Sequence, residues 1–355
     1  MFPIASAVMA NDIAIRGSGT KNTYITGTET LNLIGCHISD VNVRIPLTFS
    51  NGRADHCSIG LDGSTFSFSE SELSRCEFTT STDIAFDSNT KVDNCRIMTS
   101  ATCLNDGVRI SSSLINDVLT LVADTDAKQY IEGCEIKNIV SLMVPTVNLF
   151  LSSSEISGSI MMMAGLATIE GNRFSNNESA SITAVEGATV HVIENEFDNP
   201  LQALLATTAG EIIFKGNVVK GVTTMMFGVN VTATSGICKI EDNTISGAQQ
   251  TGIELSAMMP VGPGDITVKN NTVTNCGTGV ALDSSAPTVL AFVTHNILIN
   301  NTVTDLMNPG VSVVSHNVIG TYTPAGPYSG AQNTTLEGTL CHDHPTPGQS
   351  LGQLP

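Results

Sequence analysis

Tryptophan is absent from this chain, tyrosine occurs only 4 times in 355 residues, and charged residues make up only 14% of the sequence. Long amphipathic helices need many Glu, Lys and Arg side chains on their polar faces, so this composition excludes a helical bundle. Glycine, serine, threonine and asparagine are abundant instead. Because small, β-branched and turn-forming residues favour short strands joined by tight corners, the sequence predicts an all-β protein.

Basic residues are also scarce. Lys and Arg number 15 against 33 Asp and Glu, which gives a formal net charge of −18. Nucleic-acid binding needs a clustered basic surface, and none can be assembled from so few cations. Anionic membranes are disfavoured for the same reason, and the most apolar stretch, 139–151, is short and interrupted by Pro145 and Asn148. We therefore predict neither a nucleic-acid partner nor membrane insertion.

The opening residues and the cysteines bear on localisation. The first ten residues are mildly apolar but contain no Lys or Arg, which gives little support for a cleaved signal peptide. Nine cysteines, an odd number, fall mostly at regularly spaced positions. Such usage is typical of reduced thiols. We therefore predict synthesis without a cleaved leader and assembly in a reducing cytoplasm.

A short pattern recurs along the chain: an apolar residue, two spacers, a small polar residue, one spacer and a second apolar residue. Examples are IEGCEI at 131–136 and IEGNRF at 169–174. The mean spacing is about 22 residues, the length of one coil of a solenoid, and both apolar positions are apolar in every copy. The small polar residues are Cys36, Cys57, Cys76, Cys95, Ser113, Cys134, Ser154, Asn172, Asn195, Asn217, Asn243, Asn271, Asn296 and Asn317.

With these repeats, residues 31–322 resemble the right-handed parallel β-helix of the pectate-lyase-like family of folds. In that family each coil has three short strands, and an Asn at the corner between the second and third stacks into an internal ladder; the run from Asn172 to Asn317 matches it. The resemblance implies a single all-β, right-handed parallel β-helix (β-solenoid) of about 14 coils. Residues 1–30 would form an N-terminal cap, and residues 323–355 a Pro/Gly-rich C-terminal tail or an arm that wraps a neighbouring subunit.

In the first half of the chain, Cys and Ser occupy the ladder positions. A column of inward thiols is either a redox or metal stack or a set of small core residues, because free Cys packs as a small hydrophobe. Buried structural thiols are usually inert. We interpret the column as structural.

Two acids on the longest coils form a candidate catalytic pair. Glu254 and Asp283 are expected on adjacent coils, pointing outward, with their carboxyl groups roughly 6–9 Å apart, a separation that suits an inverting glycosidase. The alternative is two solvated acids on an acidic protein. The resemblance implies lyases and hydrolases that work in a groove on the first sheet, yet their Arg-x-Lys, Gly-His-Gly and Asn-Thr-Asp motifs are missing here. An aromatic platform for sugars is also missing from the sequence, so we transfer no catalytic residue.

A second cluster is Cys341, His342 and His344. Adjacent residues in a Pro-rich segment rarely enclose one ion tetrahedrally, so we predict no metal site and no cofactor. His295 and His316 each precede a ladder Asn and are expected to stack on neighbouring coils. Alternating charges one residue after the anchors, such as Glu77 beside Arg96, predict a solvated ladder of ion pairs.

Two classes of function remain. The first is a non-enzymatic structural or attachment module, an oligomeric component of an appendage, tail fibre or virus-like or capsid assembly. Its partners would be further copies of itself, with a trimer favoured, other assembly subunits, or a surface glycan; the Met runs at 161–163, 225–226 and 258–259 would form either an apolar contact patch or core filling. The alternative is a polysaccharide lyase or glycoside hydrolase of the pectate-lyase-like class.

Overall fold

A computed structural model defines the fold. The residues it describes are 2–4, 8–21, 23–60, 63–80, 82–122, 127–141, 147–175, 179–185, 187–207, 209–232, 236–256, 266–283, 291–307, 312–319, 322–323, 335–337 and 340–341. The secondary structure assigned to these residues is strand, turn and bend. None of them forms a helix that is long and apolar enough to cross a membrane.

The chain divides into two compact units, residues 1–157 and 158–355. In each unit, one coil runs through three short strands, here called sheet 1, sheet 2 and sheet 3 in chain order, and every coil pairs in parallel with the next. The parallel β-solenoid predicted from the repeat is therefore confirmed.

In the first unit, sheets 1 and 3 merge where Leu114–Val122 and Glu135–Ser141 run from sheet 3 into sheet 1. The other strands of sheet 1 are Val8–Asn11, Leu31–Ile34, Leu47–Ser50, Phe66–Ser69, Ile84–Phe86 and Ala101–Leu104. Sheet 2 consists of Ala14–Arg16, His37–Ser39, Arg53–Asp55, Glu72–Ser74, Lys91–Asp93, Arg109–Ser111, Ala127–Glu132 and Val147–Ser152. The other strands of sheet 3 are Phe2–Ile4, Tyr24–Gly27, Asn42–Arg44, Ser58–Ile59, Glu77–Phe78, Arg96–Ile97 and Glu155–Ile156.

The second unit repeats the same plan. Sheet 1 consists of Ile160–Met162, Ala180–Val185, Gln202–Thr207, Phe227–Thr232, Thr251–Ser256, Thr278–Asp283, Thr304–Met307 and Tyr322–Thr323. Sheet 2 consists of Leu166–Glu170, Thr189–Ile193, Ile212–Lys215, Cys238–Glu241, Ile266–Lys269, Ala291–Thr294, Ser312–Ser315 and Thr335–Glu337. Sheet 3 consists of Arg173–Ser175, Glu196–Asp198, Val218–Lys220, Thr244–Ser246, Thr272–Thr274, Ile297–Ile299, Val318–Ile319 and Leu340–Cys341.

Side chains alternate between the interior and the surface along these strands, as the two-residue period of a strand requires. In Phe66–Ser69 the two Phe side chains are buried and the two Ser side chains are half-buried. Stacked apolar columns fill the interior: in the second unit Phe174 and Phe197 stack with ring centroids 4.6 Å apart. In-register stacking of like residues therefore builds the core.

Strands also occur in the segments predicted to cap and to follow the solenoid. Phe2–Ile4 pairs with Tyr24–Gly27, and Val8–Asn11 pairs with Leu31–Ile34. At the other end, Thr335–Glu337 and Leu340–Cys341 pair with strands of the preceding coil. The parallel pairing thus continues into both segments.

Candidate functional site

The structure places thirteen of the fourteen anchors at one corner, between sheets 2 and 3, and all thirteen side chains are buried. From Asn195 onward, each ladder Asn side chain in the second unit accepts two hydrogen bonds from the preceding ladder Asn. Asn217 Oδ1, for example, accepts from the backbone N–H of Asn195 at 2.9 Å and from its Nδ2 at 3.1 Å. Asn217 Nδ2 in turn donates to Val192 O at 2.9 Å. The Asn column thus satisfies buried backbone groups that would otherwise be unpaired.

Thiols and hydroxyls perform the same task in the first unit. The backbone N–H of Cys95 donates to Ser113 Oγ at 3.0 Å, and that of Cys76 donates to Cys95 Sγ at 3.3 Å. The eight cysteines whose side chains are described are all free and buried. Burial raises the pKa of Cys134 to about 11, which keeps this thiol protonated at neutral pH. A protonated, buried thiol is a poor nucleophile and a poor metal ligand.

Cys36 lies at a different corner from the other anchors. His37, which follows it, pairs with Arg53, so Cys36 aligns with Gly52 at the corner between sheets 1 and 2. The position equivalent to Cys57 in the previous coil is Val41 instead, because Ser58 pairs with Asn42. Small inward residues flanked by apolar residues occur at both corners, so the sequence pattern alone does not separate them.

The left-handed backbone of the ladder corner belongs to the residue before the anchor and not to the anchor itself. His56 (φ 51°), Arg75 (φ 52°) and Asp242 (φ 60°) are examples, and Gly171 (φ 62°) takes the same place in its coil. The side chains of His56 and Arg75 point to solvent. Coils with a residue other than glycine at this position therefore place one corner side chain beside the outer face of sheet 2.

The predicted acid pair lies on sheet 1 of the second unit. Glu254 is half-buried and pairs with Asn230 on one side and Ala281 on the other. Asp283 pairs with Ser256, two residues further along the strand, and its side chain lies outside the described residues. The backbone register has the offset on which the pair was predicted; its catalytic role stays a prediction.

The predicted metal ligands fall at the edge of the described chain. Cys341 ends a strand, whereas His342 and His344 lie outside the described residues. Within the residues that the structure describes, no three His, Cys, Asp or Glu side chains are grouped to hold an ion. The imidazoles of His295 and His316 stack in parallel with centroids 4.9 Å apart.

The methionine runs are divided between core and surface. Met162 and Met225 are fully buried, whereas Met161 is 41% exposed. Met258 and Met259 lie outside the described residues. Met162 and Met225 therefore belong to the core. Among the described methionines of these runs, Met161 is the exposed side chain that is left for an apolar contact patch.

The outer face of sheet 2 in the first unit is here called the charged face, and the strands of this sheet carry five of the ten Lys and Arg residues of the unit. Two columns of outward side chains cross it in register. One column is His37, Arg53, Glu72, Lys91, Arg109, Tyr130 and Phe150, and the other is Ser39, Asp55, Ser74, Asp93, Ser111, Glu132 and Ser152. Cations and carboxylates are nearly balanced on this face of a strongly acidic protein.

Ion pairs fix several of these side chains. Arg75 donates to Asp55 through Nε at 3.0 Å and Nη2 at 2.5 Å, and these hydrogen bonds hold the pKa of Asp55 below its ordinary value. Lys91 Nζ lies 2.9 Å from Glu72 Oε1 and lowers the pKa of that carboxyl. Both acids therefore stay ionised well into the acidic range.

A pocket of about 340 Å³ opens at one end of the charged face. Its lining residues are Ala14, Ile15, Arg16, His37, Ser39, Asp40 and Asp55. Asp40 Oδ1 lies 2.8 Å from Nδ1 of His56, and Asp40 Oδ2 lies 3.9 Å from Nε of Arg16. The volume is in the range of small-molecule sites.

A family model matches part of the sequence. Residues 157–321 match the family model described as a right handed beta helix region. Together with the strand pairing, this match shows that the chain has the right-handed parallel β-helix fold. No curated protein matches it.

Solved structures with a similar fold share little sequence with this β-helix. A tailspike protein mutant of E. coli bacteriophage HK620, solved in complex with a pentasaccharide, is 11% identical, with a TM-score of 0.42 over 94% of this chain and 70% of that one. The catalytic domain of a GH87 alpha-1,3-glucanase in complex with nigerose is 9% identical, with a TM-score of 0.34 over 80% of this chain. This β-helix spans 62% of the length of the glucanase chain. Tailspike protein 3 of bacteriophage CBA120 is 10% identical, with a TM-score of 0.28, and covers 99% of this chain and 54% of that one. Similarity at this level extends to the fold alone.

One aromatic cluster on the β-helix was not expected from the sequence. Tyr130 and Phe150 stack on the charged face with centroids 5.1 Å apart, and the guanidinium of Arg109 lies 4.3 Å from the centre of the Tyr130 ring. Arg109 and Phe150 both pair with Tyr130 in register, on opposite sides of it. Both faces of the Tyr130 ring are therefore covered, and this ring is not free to stack on a sugar.

Proposed function

We propose that this β-helix is a non-enzymatic attachment module. It is a homo-oligomeric component, with a trimer favoured, of an appendage, tail fibre or capsid-associated assembly, formed in a reducing cytoplasm, and it holds a surface glycan. Residues 1–30 act as its cap and residues 323–355 as an arm that contacts a neighbouring subunit or another assembly subunit.

The pairing of carboxylates with cations on the charged face carries this proposal. A general acid needs a carboxyl group whose pKa is raised towards neutrality. Asp55 and Glu72 have the opposite perturbation, since Arg75 and Lys91 lower their pKa values. Fixed pairs of acceptors and donors suit reversible recognition of a polar, hydroxyl-bearing ligand.

Two measurements on the full chain test the proposal. Size exclusion with light scattering is expected to give a trimer, and a glycan array is expected to give saturable binding without loss of the glycan during incubation. A monomer that retains no glycan on the array would contradict the proposal.

A second candidate, a polysaccharide lyase or glycoside hydrolase, is favoured by the hydrogen bond between Asp40 and His56. A carboxylate that accepts from Nδ1 fixes the imidazole tautomer and leaves Nε2 as a base, and this pair lies beside the pocket. Incubation with a polysaccharide panel, followed by an assay for new reducing ends and unsaturated products, tests it. His56→Gln would abolish activity at this pair, whereas Glu254→Gln and Asp283→Asn would abolish activity at the predicted acid pair on sheet 1.

A further inference from the structure

We propose that the pocket lined by Arg16, His37, Ser39, Asp40 and Asp55 is a subsite for one uncharged, hydroxyl-rich sugar unit. This inference rests on the proposed role in glycan attachment and names the site and the class of sugar. The pocket lies at the Arg16 end of the charged face, on sheet 2. The lyases and hydrolases that the resemblance implies work in a groove on sheet 1 instead.

Two carboxylates provide the acceptors. The side chains of Asp40 and Asp55 are only 30% and 21% exposed, so each is held in the wall of the pocket and still reaches its opening. Arg75 uses one acceptor position on each oxygen of Asp55. Ser74 also hydrogen-bonds to this carboxyl. Because each carboxylate oxygen accepts two hydrogen bonds, one acceptor position remains for a sugar hydroxyl.

Donors lie next to these acceptors. Arg16 is largely exposed and its Nε is 3.9 Å from Asp40 Oδ2, so its guanidinium can donate to one hydroxyl while Asp40 accepts from the adjacent hydroxyl. His37 and Ser39 add two further polar groups. A vicinal diol, which both donates and accepts at neighbouring oxygens, matches this arrangement.

The apolar lining and the charge of the pocket narrow the sugar class. Ala14 and Ile15 add apolar lining, which suits the C–H groups of a pyranose ring. The two carboxylates Asp40 and Asp55 stand against the two guanidinium groups of Arg16 and Arg75, so these four side chains leave no excess of positive charge at the site. The formal net charge of −18 repels acidic sugars at long range. An uncharged sugar therefore fits better than a uronate or a sialic acid.

Saturation-transfer NMR and calorimetry on the full chain test the subsite with a panel of methyl glycosides of neutral hexoses, N-acetylhexosamines and uronates. A neutral glycoside is expected to bind and uronates are not. Asp55→Asn and Asp40→Asn are each expected to weaken binding about tenfold or more, because each changes an ionised acceptor of the ligand.

Asp93→Asn is the matched control. Asp93 lies in the same outward column as Asp55, two coils further on and outside the pocket, and it accepts a hydrogen bond from Ser111 at 2.8 Å. The Asp93 variant carries the same change in charge and is expected to bind within twofold of the parent.

Ser39→Trp covers the case in which an Asp variant loses its fold. Ser39 points outward and lines the pocket, so a bulky side chain fills the pocket without entering the core. Its expected result is loss of glycoside binding with an unchanged melting temperature. Glycan-array binding that survives Ser39→Trp and Asp55→Asn would overturn the subsite and leave glycan attachment standing. Preferential binding of a uronate would overturn the sugar class. Absence of any glycan binding by the parent protein would overturn the subsite together with glycan attachment.

Discussion

At the scale of single residues, each ladder Asn joins several buried groups through one side chain. Asn217 contacts four groups: the backbone N–H and Nδ2 of Asn195, Val192 O and Asn243 Oδ1. All of these are buried, so removing the amide leaves the backbone N–H of Asn195 without its acceptor and takes one donor away from Val192 O. An unpaired buried polar group costs about 1–3 kcal/mol.

We therefore expect Asn217→Ala to lower the free energy of unfolding by about 2–4 kcal/mol, measured by urea denaturation. Asn217→Ser is expected to lose less, because Ser113 already accepts the equivalent backbone N–H in the first unit. Asn230→Ala, at an outward position of sheet 1, is the control and should change stability by less than about 1 kcal/mol. Equal losses of unfolding free energy for Asn217→Ala and Asn230→Ala would show that a ladder amide stabilises the fold no more than an outward amide does.

The ion pair between Arg75 and Asp55 predicts a measurable titration. A depressed pKa means that the stabilisation is present above the unfolded-state pKa and is lost as pH falls through the folded-state pKa. By NMR, the Asp55 carboxyl is expected to titrate below the ordinary Asp value of about 3.9. Arg75→Gln is expected to return it towards that value.

Lys91→Gln provides the matched control for this titration. Lys91 lowers the pKa of Glu72 and not that of Asp55, so the variant should move the Glu72 midpoint upward and leave Asp55 unchanged. An Asp55 midpoint that does not respond to Arg75→Gln would contradict the assigned cause.

At the scale of the element, the corner before each ladder residue sets which substitutions the coil tolerates. Gly171 has φ 62°, and a Cβ at this position would meet no atom within 4 Å. Any cost of substitution therefore comes from the backbone and not from crowding. Other coils place Asn, Asp, His, Ser, Arg or Glu, none of them β-branched, at the equivalent position with similar φ, as Asn270 does at 57°.

Gly171→Val is expected to lower the free energy of unfolding by about 1–2 kcal/mol, since a left-handed conformation is strained for residues with a Cβ and most of all for β-branched ones. Gly171→Asn is expected to lower the free energy of unfolding clearly less than Gly171→Val does. Thermal and urea unfolding of the two variants beside the parent measure the difference. Similar losses for Val and Asn would show that side-chain volume, and not backbone strain, decides this position.

The same corners explain what the sequence could predict and what it could not. The strand periodicity and the repeated small polar residue were sufficient for a parallel solenoid, because each inward column is nearly uniform in chemistry. The coil register near Cys36 was not predictable, because two corners of a coil share one pattern and only the pairing of His37 with Arg53 distinguishes them.

The pocket could not be predicted from the sequence, for a related reason. Arg16, Asp40 and Asp55 come from three successive coils of unequal length, and their meeting depends on that register. The sequence analysis also missed the stack of Tyr130 and Phe150, although both side chains point outward and the two residues pair on neighbouring coils. Aligning the outward positions of successive coils, as well as the inward ones, would have indicated both clusters from the sequence.

At the scale of the whole molecule, excess negative charge opposes folding. Parallel in-register pairing places residues at equivalent positions of neighbouring coils about 4.8 Å apart. Glu135 and Glu155 are such a pair, and both acids are exposed. This spacing is well inside the Debye length of about 10 Å at 0.1 M salt, so the repulsion is felt at low salt and screened at high salt. Surface ion pairs such as Lys220 with Glu196 at 3.2 Å weaken with salt and act in the opposite direction.

With 33 acids against 15 bases, repulsion is expected to exceed the attraction of the pairs, because most acids have no cation available to them. The melting temperature should therefore rise by a few degrees as sodium chloride is raised from about 20 mM to about 0.5 M at fixed protein concentration. Glu155→Gln should raise the melting temperature at low salt and have little effect at high salt, since it removes one member of a like-charged pair. A melting temperature that falls with salt would mean that the ion pairs of the charged face and of sheet 3 outweigh the net charge, and the coils would then be joined electrostatically as well as by their buried ladders.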